Sequence, residues 1–462
     1  MSILAGYVVP HPPIIVDDVG SEDTSAAKKT IEAYHQVAKD IQRLKPDTII
    51  VSSPHGKLYR DYFHVSSGIG TRGDFGQFGA KDVSFAVSYD TKLVKEISDQ
   101  AHHNNLPVGT LGGHETGLDH GVMVPLYFIN QYYQDYQLIR ISPSGFDLLE
   151  HYKIGKFIQS IVANDKKVVW VASGDLSHKL KESGPYGFIE EGPKLDHHIT
   201  DVLKTAQFNA FFDIPKSIRE KGAECGLSSF VMMAGALDRR DIDHTFLSYE
   251  GPFGVGYAVS MYHVLGIDQS KQYDKIYQTK ASKTITEQKT KEDPYIQLAR
   301  ASLEYFTKYK KRLILPTHLP KELLETKASV FVTIFKHGEL RGCVGKTSPT
   351  YESVAEEIID SAISAGHHDH RFPHVKEDEL PYLTYKVDVL SPPETIDSID
   401  QLDVKTYGVI VKHGYRSGLL LPNLDGIDTA EKQVSIAKQK AGINPNEPVD
   451  LERFKVVRHE VS

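Results

Sequence analysis

From the start of the chain to about residue 266, short apolar runs alternate with amphipathic stretches. Leu4–Val9, Thr48–Ser52, Gln137–Ile141 and Val168–Ala172 are apolar enough to read as buried strands. Between them, Ala26–Leu44 repeats apolar residues at helical spacing (Ile31, Tyr34, Val37, Ile41, Leu44) and stops before Pro46. Leu93–His102, Gly121–Tyr133 and His151–Ala163 read as further helices. All-apolar strands alternating with helices predict an α/β domain, its central sheet covered by helices on both faces. Such sheets put their sites in loops at the carboxyl ends of strands.

The pattern then changes. Residues 268–293 are polar and nearly free of aliphatic side chains, and they read as a linker. Pro294 opens a helix running to about Tyr309. After it, Ser329–Phe335 alternates, turns through Lys336-His337-Gly338 and returns as Leu340–Val344. A second hairpin follows at Val409–Leu421, with a helix at about Tyr351–Ala365 between the two. This predicts a smaller α+β C-terminal domain. The expected organisation is 1–266, a polar linker at 267–293, and 294–462.

Composition narrows the function classes. A formal charge of −8 over 462 residues gives no reason to expect a nucleic-acid partner or an anionic membrane. There is no apolar run of roughly 18 residues, so no membrane span is expected. The first residues read as a strand, not a signal peptide. The two cysteines, Cys225 and Cys343, fall in different predicted domains. A disulfide framework is thereby excluded, and a reducing cytoplasm fits.

Histidine is the informative residue, with 22 in the chain. His11 lies between prolines in Val9-Pro10-His11-Pro12-Pro13, where the stiff backbone suits a fixed ligand. Pro54-His55-Gly56 directly follows a buried strand, as does Ser173-Gly174-Asp175-Leu176-Ser177-His178. Asp119-His120-Gly121 and Glu224-Cys225-Gly226 each open an apolar helix. Two neutral imidazoles and a carboxylate on one face of an ion form the facial triad of non-haem Fe(II) oxygenases. His11, His55 and Glu224 could supply it, and His178 and His120 could move protons. Each feature also has an ordinary reading: a His–Pro turn, a helix cap, or a first-turn glutamate facing the helix dipole. The ligands are too far apart in sequence for their spacing to decide.

Taken together and in order, these motifs resemble the class III extradiol dioxygenases of the LigB/Memo superfamily, over roughly residues 1–266. The resemblance implies that His11, His55 and Glu224 are metal ligands, His178 the acid/base and His120 a second active-site histidine. It implies Fe(II), with Zn(II) as the other candidate. It further implies a small catecholic substrate, dioxygen and extradiol ring cleavage. Members of the Memo branch carry a cysteine near the third ligand position and are not all dioxygenases. An oxygen-independent metal-dependent hydrolase or lyase, and a non-catalytic partner of a radical-SAM protein, therefore stand as alternatives.

In the second domain, Arg341-Gly342-Cys343-Val344-Gly345 places a thiol between glycines, two residues from a cation. A nearby cation favours the thiolate, although Cys343 also reads as a small buried strand residue. This motif and Asp369-His370-Arg371-Phe372 resemble the AMMECR-type domain over about 294–460. His370 and His374 stand where that family usually has proline. With His367 and His368 they could bind a metal, or simply form a solvated loop. The fusion resembles the AmmeMemoRadiSam association of these two families with a radical-SAM protein.

Overall fold

The structure is a computed structural model describing residues 3–111, 117–162, 166–424 and 426–461. It divides into two compact units, 1–278 and 279–462.

The first unit is built on a six-stranded sheet. Its strand order is Gln137–Ile141, Thr48–Ser52, Val168–Ser173, Ile3–Val9, Tyr257–Ile267, Arg240–Glu250. The first four strands run parallel and the last two are antiparallel. Side chains alternate between two cores because strand residues alternate faces. Ile50, Ile139, Val168 and Trp170 join one core, while Ile49, Val51, Leu138, Val169 and Val171 join the other. Helices Leu148–Ile161, Glu191–Thr205 and Leu227–Ala236 contribute to the first core. Helices Lys28–Leu44 and His120–Asn130 contribute to the second. This two-sided burial is why the parallel strands read as unbroken apolar runs. Of the antiparallel pair at 240–267, Arg240–Glu250 is the edge strand and alternates in exposure, and Tyr257–Ile267 is buried only in its first half, so neither is an unbroken apolar run.

The run at 268–293, expected as a linker, instead carries the helix Tyr273–Lys289. Its first turn is anchored to the first unit. Tyr273 packs on Phe208 and Tyr277 on Phe212, each at 5.2 Å between ring centroids, and Lys156 donates to Asp274 at 3.1 Å. Three aromatic or charged anchors hold this turn where aliphatic residues are scarce.

The second unit has two four-stranded sheets. One is ordered Glu339–Gly345, Val330–Lys336, Leu383–Leu390, Val456–His459, and the other Glu394–Ile396, Asp450–Phe454, Gly408–His413, Arg416–Leu420. Helices Pro294–Tyr309 and Val354–His367 share a core with the first sheet. The expected hairpin turn at His337-Gly338 is present, with φ of 52° and 80°, as a two-residue turn between right-twisted strands requires.

Candidate metal centre

The carboxyl ends of three parallel strands bring the N-terminal motifs together. His11 leaves the Ile3–Val9 strand and is buried. Its backbone N–H donates to Asp175 Oδ1 at 2.8 Å, and Tyr34 from the neighbouring helix donates to the carbonyl of Pro10. His55 leaves the Thr48–Ser52 strand, where Ser53 N–H extends the parallel ladder to Ile141 O at 3.1 Å. Asp119 ties this loop to the next helix. Its carboxylate accepts from Ser53 Oγ at 2.6 Å, from Arg140 Nη2 at 2.8 Å and from Val122 N–H at 3.2 Å. His120 follows as the first residue of that helix, and its ring lies 4.0 Å from that of His55, centroid to centroid.

The Asp175–His178 loop leaves the Val168–Ser173 strand and is joined to the 222–226 turn. The N–H groups of Cys225 and Gly226 donate to Asp175 O at 3.2 and 3.0 Å, and Asp175 N–H donates to Cys225 Sγ at 3.3 Å. The approach is close: a Cβ on Gly174 would lie 2.0 Å from Gly226 Cα. His178 N–H and Ser177 Oγ both donate to Gly222 O.

The ligand atoms of His11, His55 and Cys225 all lie within 4.8 Å of one another. His11 Nε2 is 3.0 Å from His55 Nε2 and 3.5 Å from Cys225 Sγ. Ser173 defines the tautomer of His11. Its hydroxyl proton goes to Gly121 O at 2.5 Å, so Ser173 Oγ accepts from His11 Nδ1–H at 2.9 Å. Nε2 therefore carries a lone pair, as a ligating imidazole must. Two nitrogens each about 2.1 Å from one ion lie roughly 3.0–3.4 Å apart. The donor set fits a cation.

The electrostatics agree with that fit. Burial, followed by the neighbouring histidines His55, His120 and His178, holds His11 well below the usual imidazole range. Burial likewise lowers His55 and His178, and with His55 it takes His120 to about 4. These rings are neutral near pH 7. Burial raises Asp175 to about 7. Burial and then the Asp175 charge push the Cys225 thiol up, so a thiolate there requires a bound cation.

The expected third ligand, Glu224, is not in this group. Its Oε2 accepts Leu227 N–H at 2.6 Å, at the start of the Leu227–Ala236 helix, and Cys225 faces the histidines instead. Which of the two adjacent side chains turns toward the histidines follows from the backbone of the turn, with Ala223 at φ 54°. Asp175 was also passed over. It forms a second grouping with His178 and Cys225, all within 4.8 Å.

In the second unit, Arg341 does not stand free beside Cys343. Its Nε and Nη2 donate to the two Glu379 oxygens at 3.1 and 3.0 Å, and a bulge at this point of the hairpin breaks regular pairing. Cys343 Sγ is 3.2 Å from Thr333 Oγ1, and its N–H donates to Asp369 Oδ2 at 2.9 Å. Arg371 bonds both Asp369 and Cys343 O, so the two AMMECR-like motifs meet. His367 is buried against Thr307, whereas His368, His370 and His374 are exposed. Among the described residues none of these four histidines belongs to a metal-capable group.

A two-faced α/β sheet with a histidine–thiol cluster at its strand ends defines an α/β domain with a candidate metal centre. Residues 5–260 match the family described as the catalytic LigB subunit of aromatic ring-opening dioxygenase, and residues 296–462 match AMMECR1. The chain belongs to the LigB family, with an AMMECR1 domain fused behind it. A Clostridium acetobutylicum protein is 38% identical over 100% of both chains. A Thermotoga maritima protein is 46% identical over 37% of this chain and 98% of its own. The crystal structure of an uncharacterized Pyrococcus horikoshii protein is 33% identical, covers 36% of this chain and 88% of its own, and has a TM-score of 0.34. Among the described residues no helix is long and apolar enough to cross a membrane.

Proposed function

We propose that the first unit is a mononuclear metalloenzyme whose ion is held by His11, His55 and Cys225. Its reaction is then extradiol cleavage of a small catecholic ring by dioxygen. The supporting observation is the convergence of His11 Nε2, His55 Nε2 and Cys225 Sγ, with the His11 tautomer dictated by Ser173. When bound, Fe(II) supplies Lewis acidity and a redox partner for dioxygen. His178 is neutral near pH 7 and accepts the proton of a substrate hydroxyl, returning it later in the cycle. His120, its ring tilted against that of His55, serves the second hydroxyl. Asp175 holds His11 through its backbone N–H and Cys225 through the shared turn.

The test is oxygen uptake by the Fe(II)-loaded full chain on addition of a catechol. Catechol-dependent uptake that is lost in His178→Ala, with iron retained, is the expected result. Absence of uptake in iron-replete wild type would sink the reading. The sulfur ligand favours a second reading, oxygen-independent hydrolase or lyase chemistry on Zn(II), because thiolate with imidazole is a common zinc set. Turnover under strict anaerobiosis with zinc, and none with iron and oxygen, would select it.

A further inference from the structure

Beside the metal-binding cluster, one largely exposed aromatic side chain stands against a histidine of the site. Tyr186 lies in the loop between His178 and the Glu191–Thr205 helix, and it is 59% exposed. The loop is held by its backbone. Leu180 bridges to Phe188, Leu180 N–H donates to Gly254 O at 3.0 Å, and Gly184 N–H donates to Lys181 O at 2.9 Å. Gly187, at φ 74°, makes the bend that follows Tyr186. None of these bonds uses the Tyr186 ring. Among the described residues its one aromatic contact is His178, edge to face, with centroids 5.3 Å apart at 77°. At the other proton-handling histidine, Phe78 meets His120 in the same manner at 5.7 Å. Phe78 differs in being tied to the core through Phe75, at 6.2 Å. The two histidines assigned to proton handling are thus each flanked by an aromatic ring from outside the sheet. A large exposed ring held on an ordered loop beside a polar site suits a planar ligand, because ring–ring contact adds to simple burial.

We propose that Tyr186 is a substrate-recognising residue, one flank of an aromatic slot at His178 and His120 that takes a planar aromatic ring. This rests on the catechol reading above and adds the residue that selects for aromaticity. The experiment measures binding and not turnover. The full chain is loaded with Zn(II), which is redox-inert, and titrated with 4-nitrocatechol while the absorbance of the probe is followed. Zinc content is measured in every variant. Tyr186→Ala and Tyr186→Leu are expected to weaken binding roughly three- to tenfold, with Tyr186→Phe near wild type and zinc unchanged. Tyr186→Leu keeps apolar bulk, so its loss isolates the ring. Equal affinity in wild type, Tyr186→Ala and Tyr186→Leu would overturn the slot and leave the catechol reading standing. Loss of zinc in Tyr186→Ala would turn the effect into one of metal retention and also overturn it. No binding by wild type would overturn both.

Discussion

Ser173 has one hydroxyl proton, and Gly121 O takes it. That single bond decides which nitrogen of His11 keeps a lone pair for the cluster, so the chemistry of the site is controlled from behind the ligand. His11→Ala and His55→Ala are each expected to lose most of the bound metal, as is Cys225→Ala, by elemental analysis of purified protein. Glu224→Gln should keep its metal, because the Glu224 carboxylate serves the helix start. Full occupancy in Cys225→Ala together with loss in Glu224→Gln would reverse the assignment of the third ligand. At the same scale in the second unit, Glu379 titrates far from its usual range. Burial alone would raise it, but the Arg341 guanidinium, the Lys376 N–H and Lys336 outweigh burial and hold the carboxyl at about 2, against 4.5 ordinarily. A carboxyl lower in the folded state stabilises at pH above its unfolded value, and that contribution is lost as pH falls from about 4.5 towards 2. Its size is at most about 3 kcal/mol, reduced by solvent screening. Amide hydrogen-exchange protection, taken relative to the intrinsic rate at each pH, should fall in the Val330–Lys336 and Glu339–Gly345 strands of the full chain over that window. In Glu379→Gln protection should be weaker at neutral pH and the acid-dependent change smaller. An unchanged profile would remove Glu379 from the acid response.

Between elements, glycine decides what can touch. The Val168–Ser173 strand delivers Gly174 against Gly226, the residue that opens the Leu227–Ala236 helix, and only hydrogen fits between the backbones. Gly174→Ala should force these loops apart, at a cost of about 1–3 kcal/mol or more. Trp170, the chain's one tryptophan, is buried in the same sheet, so its fluorescence follows this unit alone during thermal unfolding. The expected result is a lower midpoint together with weaker metal retention, because Cys225 moves with Gly226. A normal midpoint and normal metal content would mean that the turn relaxes freely. The Glu339–Gly345 strand uses the same device, since a Cβ on Gly342 would lie 2.0 Å from Ala365 O in the Val354–His367 helix. The glycine before Cys343 is thus explained by packing, without appeal to a reactive thiol.

At the scale of the whole chain, the boundary between the two units lies in a helical segment of the sequence. The Tyr273–Lys289 helix starts buried, and the boundary between units falls within it, at Gln278/Thr279. Limited tryptic digestion should therefore spare the anchored first turn and cut near Lys289 or Lys291, where the helix ends in a turn. Two protease-resistant fragments that meet near residue 290 are expected, each holding the sheets of one unit. Cleavage first within the sheets of either unit would contradict that division.

The apolar parallel strands, the helical spacing of 26–44, the helix beginning at Pro294 and the two C-terminal hairpins were legible in the sequence, because burial periodicity and turn chemistry are local. His11, His55, His120 and His178 stood out for a related reason: stiff or small neighbours at strand ends mark where a sheet exposes its chemistry. The choice between Glu224 and Cys225 was not legible. The two are adjacent, and which one faces the histidines depends on a turn pinned by hydrogen bonds between Cys225 and Asp175, 50 residues apart in the chain. Arg341 likewise looked like a partner for Cys343 until folding brought Glu379 against its guanidinium. The sequence by itself determined which segments become strands and helices and which side chains could do chemistry. Only the tertiary structure decided which of them meet, because those contacts are made between distant loops whose directions no local pattern records.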